Sequence, residues 1–176
     1  MMEVSWSEAI RRRFPETVVL VVSCDKKGRP NIMPAGWSMI TSDIPPMLAV
    51  SIGHSRYTHE LIEEIGEFVL AFPNEEMKDL IESTGSCSGR CVDKFANYGI
   101  RTLKSKYVGP PLIKNAVACF ECKVRGRIIT GDHTIFAGEA LTCYVSERYK
   151  DRLYNFGKGT SGHRTLKTIP KGSDET

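Results

Sequence analysis

Two long runs with strand-like periodicity in the C-terminal half constrain the fold of this chain most. They cover residues 115–130 and 133–146, and only Gly131 and Asp132 separate them, a pair typical of a tight turn. Apolar and polar residues alternate from 116 to 125, which is the period of a strand. The sequence therefore predicts two long strands joined at this turn.

The remaining periodic segments are mostly further strands, with short helices between them. Strands are predicted at 17–23, 31–40 (with a break at Pro34 and Gly36), 47–52 and 67–73. Helices are predicted at 57–65, ending at Gly66, after Asn74, and over 93–98. This order differs from the regular βαβ alternation of a doubly wound sheet, and the sequence contains neither glycine-rich nucleotide fingerprint. We expect a mainly β, mostly antiparallel barrel with short helices, followed from Glu147 by a polar, basic tail whose only large apolar groups are Tyr154 and Phe156.

Size and charge limit the functional classes. A chain of 176 residues suits a single domain over 1–176, with its core at about 14–160. The net charge of +3 is too small to indicate a nucleic-acid partner. The sequence has no apolar run long enough to span a membrane and no signal-peptide pattern, so we expect a cytoplasmic protein without membrane association.

A strand-to-helix corner at residues 53–58 is the clearest candidate site. The predicted strand 47–52 leads directly into it, and the predicted helix 57–65 follows. Backbone N–H groups at a helix start favour an anion, and Arg56 adds a charged, planar fork suited to phosphate oxygens. This pattern predicts a phosphate site. Alternatively, Ser55 or Thr58 caps the helix and Arg56 is a solvated surface charge.

Six cysteines raise the question of redox or metal chemistry. Cys119 and Cys122 lie three apart on a predicted strand, so their thiols should point to opposite faces, with Cys122 in the core. Cys87 and Cys91 lie four apart in a glycine-containing segment and would share a face if that segment were helical. Two unpaired thiols are the favoured state, and a disulfide or redox-sensing pair is the alternative. No metal site is predicted.

Four segments in register provide a family resemblance. They are residues 31–37, 51–58, 86–95 and 131–140. In this order and spacing they resemble the flavin reductase-like, FMN-binding split-barrel family over roughly residues 14–160. The resemblance implies a six-stranded antiparallel split β-barrel that forms a homodimer, with FMN near the subunit interface.

The resemblance also implies roles for individual residues. Those expected along the edge of the isoalloxazine ring are Asn31, Met33, Pro34, Ala35 and Trp37, with Ser51 approaching from the third strand. Those expected to hold the phosphate are Ser55, Arg56 and Thr58, together with a second anion-contacting loop of Ser88, Gly89, Arg90 and Lys94, which Phe95 anchors. His133 would lie near the open face where a nicotinamide or another donor arrives, and is the one catalytic candidate.

The implied activity is that of an FMN-dependent oxidoreductase. Electrons would pass from NADH or NADPH to flavin, to a ferric chelate or to a downstream acceptor. The alternative is a flavoredoxin-type electron carrier, which a redox protein partner reduces in place of NAD(P)H. A third possibility is a protein that holds flavin without turnover.

Overall fold

A computed structural model describes residues 1–158 and 164–169. The strands are β1 (Glu16–Thr17), β2 (Val19–Cys24), β3 (Pro30–Ala35), β4 (Ser38–Asp43), β5 (Pro46–Gly53), β6 (Glu67–Phe72), β7 (Thr102–Leu103), β8 (Leu112–Ile113), β9 (Ala118–Thr130), β10 (His133–Val145), β11 (Leu153–Lys158) and β12 (Arg164–Thr168). The helices are α1 (Trp6–Ala9), α2 (Tyr57–Ile65), α3 (Lys78–Ser86) and α4 (Lys94–Asn97), with 3₁₀ helices at Ile10–Arg13 and Glu75–Met77. The mainly β composition with short helices is confirmed.

The main sheet contains seven of these described strands, in the order β3-β2-β6-β9-β10-β5-β4. Every neighbouring pair is antiparallel. The edge strands β3 and β4 are consecutive in the chain and are joined at Gly36 and Trp37, so the sheet must curl until its two edges approach each other. The predicted count of six differs because the run 31–40 is divided at Gly36 into two strands on opposite edges.

The long hairpin is confirmed. β9 and β10 pair from His133 with Thr130 to Val145 with Ala118, and two irregularities in register bend the ladder. The sheet separates two apolar clusters, one containing Cys119 and the other Cys122. These two thiols therefore lie on opposite faces, as the alternation predicts.

The C-terminal tail departs from the prediction. Leu153 and Leu166 are buried, and β11 pairs with β1 on one side and with β12 on the other in a small three-stranded sheet. Two leucines therefore anchor the tail in the apolar core, although the composition of the tail as a whole is polar. This sheet brings the segment around Glu16 next to Asn155.

The residues that begin and end the predicted helices do so in the structure. Gly66 ends α2 in the left-handed conformation with φ 73°, and Asn74 accepts a hydrogen bond from the N–H of Glu76 at the start of the 3₁₀ turn. Asp93 caps α4 in the same manner through the N–H of Ala96. Within the described ranges, no helix has the length and apolarity needed to cross a membrane.

Candidate functional site

A cavity of about 570 Å³ lies between β3, the start of α2 and the end of α3. This volume is typical of a small-molecule or cofactor site. All the predicted site residues except Arg90 line it, namely Asn31, Met33, Pro34, Ala35, Trp37, Ser51, Ser55, Arg56, Thr58, Ser88, Gly89, Lys94 and His133. Residues that are far apart in the sequence are therefore brought together around one space.

The start of α2 opens into this cavity without a side-chain cap. Arg56 occupies the N-cap position in extended conformation, and no side chain in the described part of the chain accepts from the first turn. The alternative that Ser55 or Thr58 caps the helix is therefore wrong, although Arg56 is exposed, as that alternative expected. The first-turn N–H groups and the Arg56 guanidinium remain suited to an anion.

Asn31 connects β3 to this corner. Its buried amide nitrogen donates to Thr58 Oγ1 at 2.9 Å and to Ser23 Oγ at 3.4 Å. Its Oδ1 is buried with no hydrogen-bond partner among the described residues. Gly89 packs directly on it, because a Cβ at Gly89 would lie 2.0 Å from Asn31 Oδ1. The turn at 88–91 can sit against β3 only because residue 89 has no side chain.

Lys94 and Arg90, both predicted to contact an anion, are placed differently from each other. Lys94 is buried in the cavity wall, and its Nζ donates to the carbonyls of Ile32 at 2.9 Å and Thr84 at 2.6 Å. Burial lowers its pKa. Arg90 lies outside the cavity lining in the described structure.

Arg90 instead fastens the 88–91 turn to α2. Its guanidinium pairs with Glu60 at 2.6 Å, donates to the Ser55 carbonyl at 3.2 Å and lies over the Tyr57 ring. Contact with an anion in the cavity therefore stays a prediction for Lys94 and requires a different side-chain position for Arg90.

His133 and Trp37 form one side of the opening. Their ring centroids are 4.8 Å apart, and the imidazole also lies beside Gly53, its cross-strand neighbour, where a Cβ would be 3.4 Å from Nε2. His133 Nδ1 is 2.7 Å from Asp132 Oδ1, and this hydrogen bond lowers the pKa of the Asp132 carboxyl. This hydrogen bond occupies Nδ1 and leaves Nε2 as the ring nitrogen with a free position.

Among the cavity-lining residues that the sequence patterns did not indicate, three form a hydrogen-bonded cluster. Arg13 Nε donates to Glu16 Oε2 at 2.7 Å, and Asn155 Nδ2 donates to Glu16 Oε1 at 2.9 Å. We call Arg13, Glu16 and Asn155 the Glu16 cluster. Only the pairing of β1 with β11 brings residue 16 to residue 155, so no local motif could have revealed it.

The six cysteines, all within the described residues, are free. Cys87 lines the cavity, and its Sγ is 3.4 Å from the Tyr98 hydroxyl. Because α3 ends at Ser86 and a turn follows, Cys87 and Cys91 do not share a helical face. Among the described residues no cluster of three or more histidine, cysteine, aspartate or glutamate side chains could hold a metal ion.

Comparison with known proteins identifies the family. The model of the flavin reductase like domain matches residues 11–162. The chain belongs to the flavin reductase-like family. An uncharacterised protein of Archaeoglobus fulgidus is 41% identical to it over 138 residues, which is 78% of this chain and 77% of that protein.

Solved structures give the same assignment. Flavoredoxin from Methanosarcina acetivorans is 25% identical, with a TM-score of 0.84 over 99% of this chain and 94% of that one. An FMN-binding protein from Thermus thermophilus with bound p-hydroxybenzaldehyde is 26% identical, with a TM-score of 0.82 over 98% of both chains. The cavity therefore belongs to a flavin reductase-like fold.

Proposed function

We propose that the cavity binds FMN and that the protein is an oxidoreductase that passes electrons from NADH or NADPH to flavin or to a downstream acceptor. The observation that carries this proposal is the uncapped start of α2, which opens with Arg56 and Ser55 into a cavity of cofactor size. The family membership and the FMN-binding neighbour support it.

The residues present fit the phosphate of such a cofactor. Arg56 supplies a planar donor, and hydroxyl groups at Ser55 and Ser88 line the same space as the N–H groups of the first helical turn. Together these groups offer several donors and a positive charge to one dianion. Gly85 and Gly89 lie in the adjoining wall and let it pack closely against β3. A Cβ at Gly85, for example, would lie 3.0 Å from Pro34 Cγ.

The remaining residues fit the ring of the cofactor. Bound FMN would supply the two-electron chemistry itself, so the chain needs to bind, orient and shield it. Met33 and Ala35 on β3, and Trp37 just after it, give an apolar border to the cavity. His133, with Nε2 available at the opening, is the group best placed to hydrogen-bond or protonate an arriving donor or acceptor.

A flavoredoxin-type electron carrier is the second candidate. The neighbouring flavoredoxins, at 25% and 27% identity and covering 99% of this chain, favour it. In that case a protein partner would reduce the flavin, and reduced nicotinamide would not.

The finer features of the assembly also belong to this proposal. We infer a split barrel within a single domain over 1–176, and a cytoplasmic homodimer with the cofactor near the subunit interface. Exposed apolar side chains on and around the edge strand β4 support the dimer, and they are Trp37, Met39, Ile40 and Ile44.

A visible spectrum of the purified protein, before and after anaerobic addition of NADH or NADPH, tests the proposal. A flavin spectrum that bleaches supports the reductase, and one that bleaches only with a reduced protein partner supports the carrier. Arg56→Ala should weaken FMN binding at least tenfold, about 1.4 kcal/mol, while Arg148→Ala, which removes an exposed arginine paired with Glu76, should not. Protein that takes up no added FMN contradicts both candidates.

A further inference from the structure

We propose that the Glu16 cluster recognises the pyrimidine edge of the flavin ring at the opposite end of the cavity from the phosphate corner. The inference rests on the proposed binding of FMN. It assigns a binding role to Arg13, Glu16 and Asn155, which none of the sequence motifs includes.

The position of the cluster along β3 is the first argument. Asn31, at one end of the strand, contacts Thr58 at the start of α2. Gly36, just beyond the other end, lies against Glu16, since a Cβ there would be 3.0 Å from Glu16 Oε1. Five residues of extended chain separate these points by roughly 16 Å. The cavity therefore runs from an anion-binding corner to the Glu16 cluster, as an elongated ligand with one phosphate end requires.

The second argument is the pattern of donors and acceptors in the cluster. Glu16 Oε2 accepts one bond from Arg13 Nε at 2.7 Å, and Oε1 accepts from Arg13 Nη2 at 3.4 Å and from Asn155 at 2.9 Å, so a further lone pair remains on Oε2. Arg13 also donates through Nη1 to the Ile10 carbonyl, and a guanidinium carries five N–H groups in all. The cluster thus presents an acceptor next to remaining donors.

This pattern is complementary to the pyrimidine half of an isoalloxazine ring. The edge of that ring carries N3–H, a donor, between two carbonyl oxygens, which are acceptors. A carboxylate suits the N3–H, and guanidinium or amide N–H groups suit the carbonyls. Since Arg13 and Glu16 neutralise each other, a neutral polar ring fits the cluster better than an anionic group does.

The cluster is also held in place before any ligand arrives. Glu16 and Asn155 are cross-strand partners in the β1–β11 pair. Asn155 is buried, and its Oδ1 accepts from the N–H of Gly157 at 3.0 Å, which orients its amide nitrogen toward Glu16. A site built this way loses little conformational entropy on binding.

Binding of FMN and of N3-methyl-FMN, which lacks the N3–H, tests the proposal. Quenching of flavin fluorescence gives both dissociation constants. Wild-type protein should bind the N3-methyl compound about 10- to 100-fold more weakly, the range expected for one hydrogen bond to a charged acceptor. For Glu16→Ala the two dissociation constants should lie within about threefold of each other. This variant has neither the carboxylate that accepts from N3–H nor the side chain with which the N3-methyl group would clash.

Glu139→Ala is the matched control, since Glu139 also pairs with an arginine, Arg125 at 2.7 Å, but lies outside the cavity lining of the described residues. It should keep the full preference for FMN. Glu16→Gln, which preserves the size of the side chain, should show an intermediate preference and replaces Glu16→Ala if that variant does not fold.

The possible outcomes separate this inference from the proposed function. Wild-type protein that binds both flavins equally well overturns the role of the Glu16 cluster and leaves FMN binding intact. Equal binding of the two flavins would also be observed if the cluster contacted an anionic co-substrate in place of the flavin ring. If Glu16→Ala retains the wild-type preference, N3 does not face Glu16. Wild-type protein that binds neither flavin overturns both proposals.

Discussion

Asn31 Nδ2 donates a 2.9 Å hydrogen bond to Thr58 Oγ1, and this contact joins the edge strand β3 to the first turn of α2. Both side chains are buried. The strand that borders the cavity and the helix that opens into it therefore share one polar contact, and disturbing it should affect stability and ligand binding together.

Thr58→Val tests this relationship. Valine keeps the shape of threonine but leaves the buried Asn31 amide with only its longer contact to Ser23. We expect a loss of about 1–3 kcal/mol in the free energy of unfolding and weaker FMN binding, measured by urea denaturation and by flavin titration. Thr102→Val, at an exposed site in β7, should change neither quantity. Unchanged stability in Thr58→Val would show that Asn31 finds another partner.

Gly89→Ala should impair the site without disrupting the core. The added Cβ would lie 2.0 Å from Asn31 Oδ1, so the 88–91 turn must move away from β3. We expect FMN affinity to fall at least tenfold, or about 1.4 kcal/mol. Gly126→Ala, whose Cβ would meet no atom within 4 Å, is the control and should bind FMN normally. Normal binding by both variants would mean that the turn does not contact the cofactor.

Lys94 should make stability depend on alkaline pH. Burial lowers its pKa below the ordinary 10.5, so between these two values the folded protein holds fewer protons than the unfolded chain. The free energy of unfolding of the wild type should therefore rise with pH across that window, relative to Lys94→Met. Below the window the penalty for burying the charge is fully present.

At neutral pH Lys94→Met should still be less stable than the wild type. It leaves the carbonyls of Ile32 and Thr84 without their donor, a cost of about 1–3 kcal/mol. Urea denaturation across a pH series measures both effects, with the exposed Lys78→Met as control. If the pH dependence of Lys94→Met matched that of the wild type, Lys94 would not be its source.

The cysteines should differ widely in reactivity. Burial raises the pKa of Cys119 to about 11 and that of Cys122 to about 12, so few thiolates form at neutral pH. Iodoacetamide followed by peptide mass spectrometry should label the exposed Cys91 first and these two only after unfolding.

Any redox pairing of Cys87 with Cys91 would appear as a disulfide-linked peptide after oxidation. Loss of that peptide in Cys91→Ser, with its retention in Cys143→Ser, would confirm the pairing.

The exposed edge strand β4 should mediate dimer formation. Ile40 is 73% exposed and lies near Trp37 and Met39, which are also exposed. Ile40→Lys should shift the protein toward monomer in analytical ultracentrifugation, since it would bury a charge in an apolar interface. Val145→Lys, at a residue that is 80% exposed on β10, should leave the mass unchanged. A wild-type protein that is monomeric at micromolar concentration would contradict the inferred dimer.

The sequence predicts best those features that depend on neighbouring residues. The strand at Val19–Cys24, the cap at Asn74 and the helix end at Gly66 follow from local patterns, and the structure confirms them. The cavity residues carried over from the resemblance also converge, apart from Arg90. These segments have side chains whose preferences agree with the final structure.

Features that depend on distant pairings could not be predicted in this way. Glu121 is fully buried, although it shares one face of β9 with Lys123, and that face resembles a polar one in the sequence. Its carboxylate accepts from the N–H groups of Lys106 and Tyr107 and from the Tyr144 hydroxyl, partners that lie at least 14 residues away. The Glu16 cluster has the same origin, because β1 and β11 lie at opposite ends of the chain.

The extended form of β3 has one last consequence, which concerns insertions and deletions. Successive side chains of a strand alternate between its faces, so a single added residue between Asn31 and Gly36 would turn every following side chain to the wrong face. Two residues would restore the alternation but move the Glu16 cluster about 6.6 Å further from α2. The span between the two ends of the cavity can thus change only in coarse steps, and relatives that accept a longer or shorter ligand should differ in the loops around β3 and keep its length.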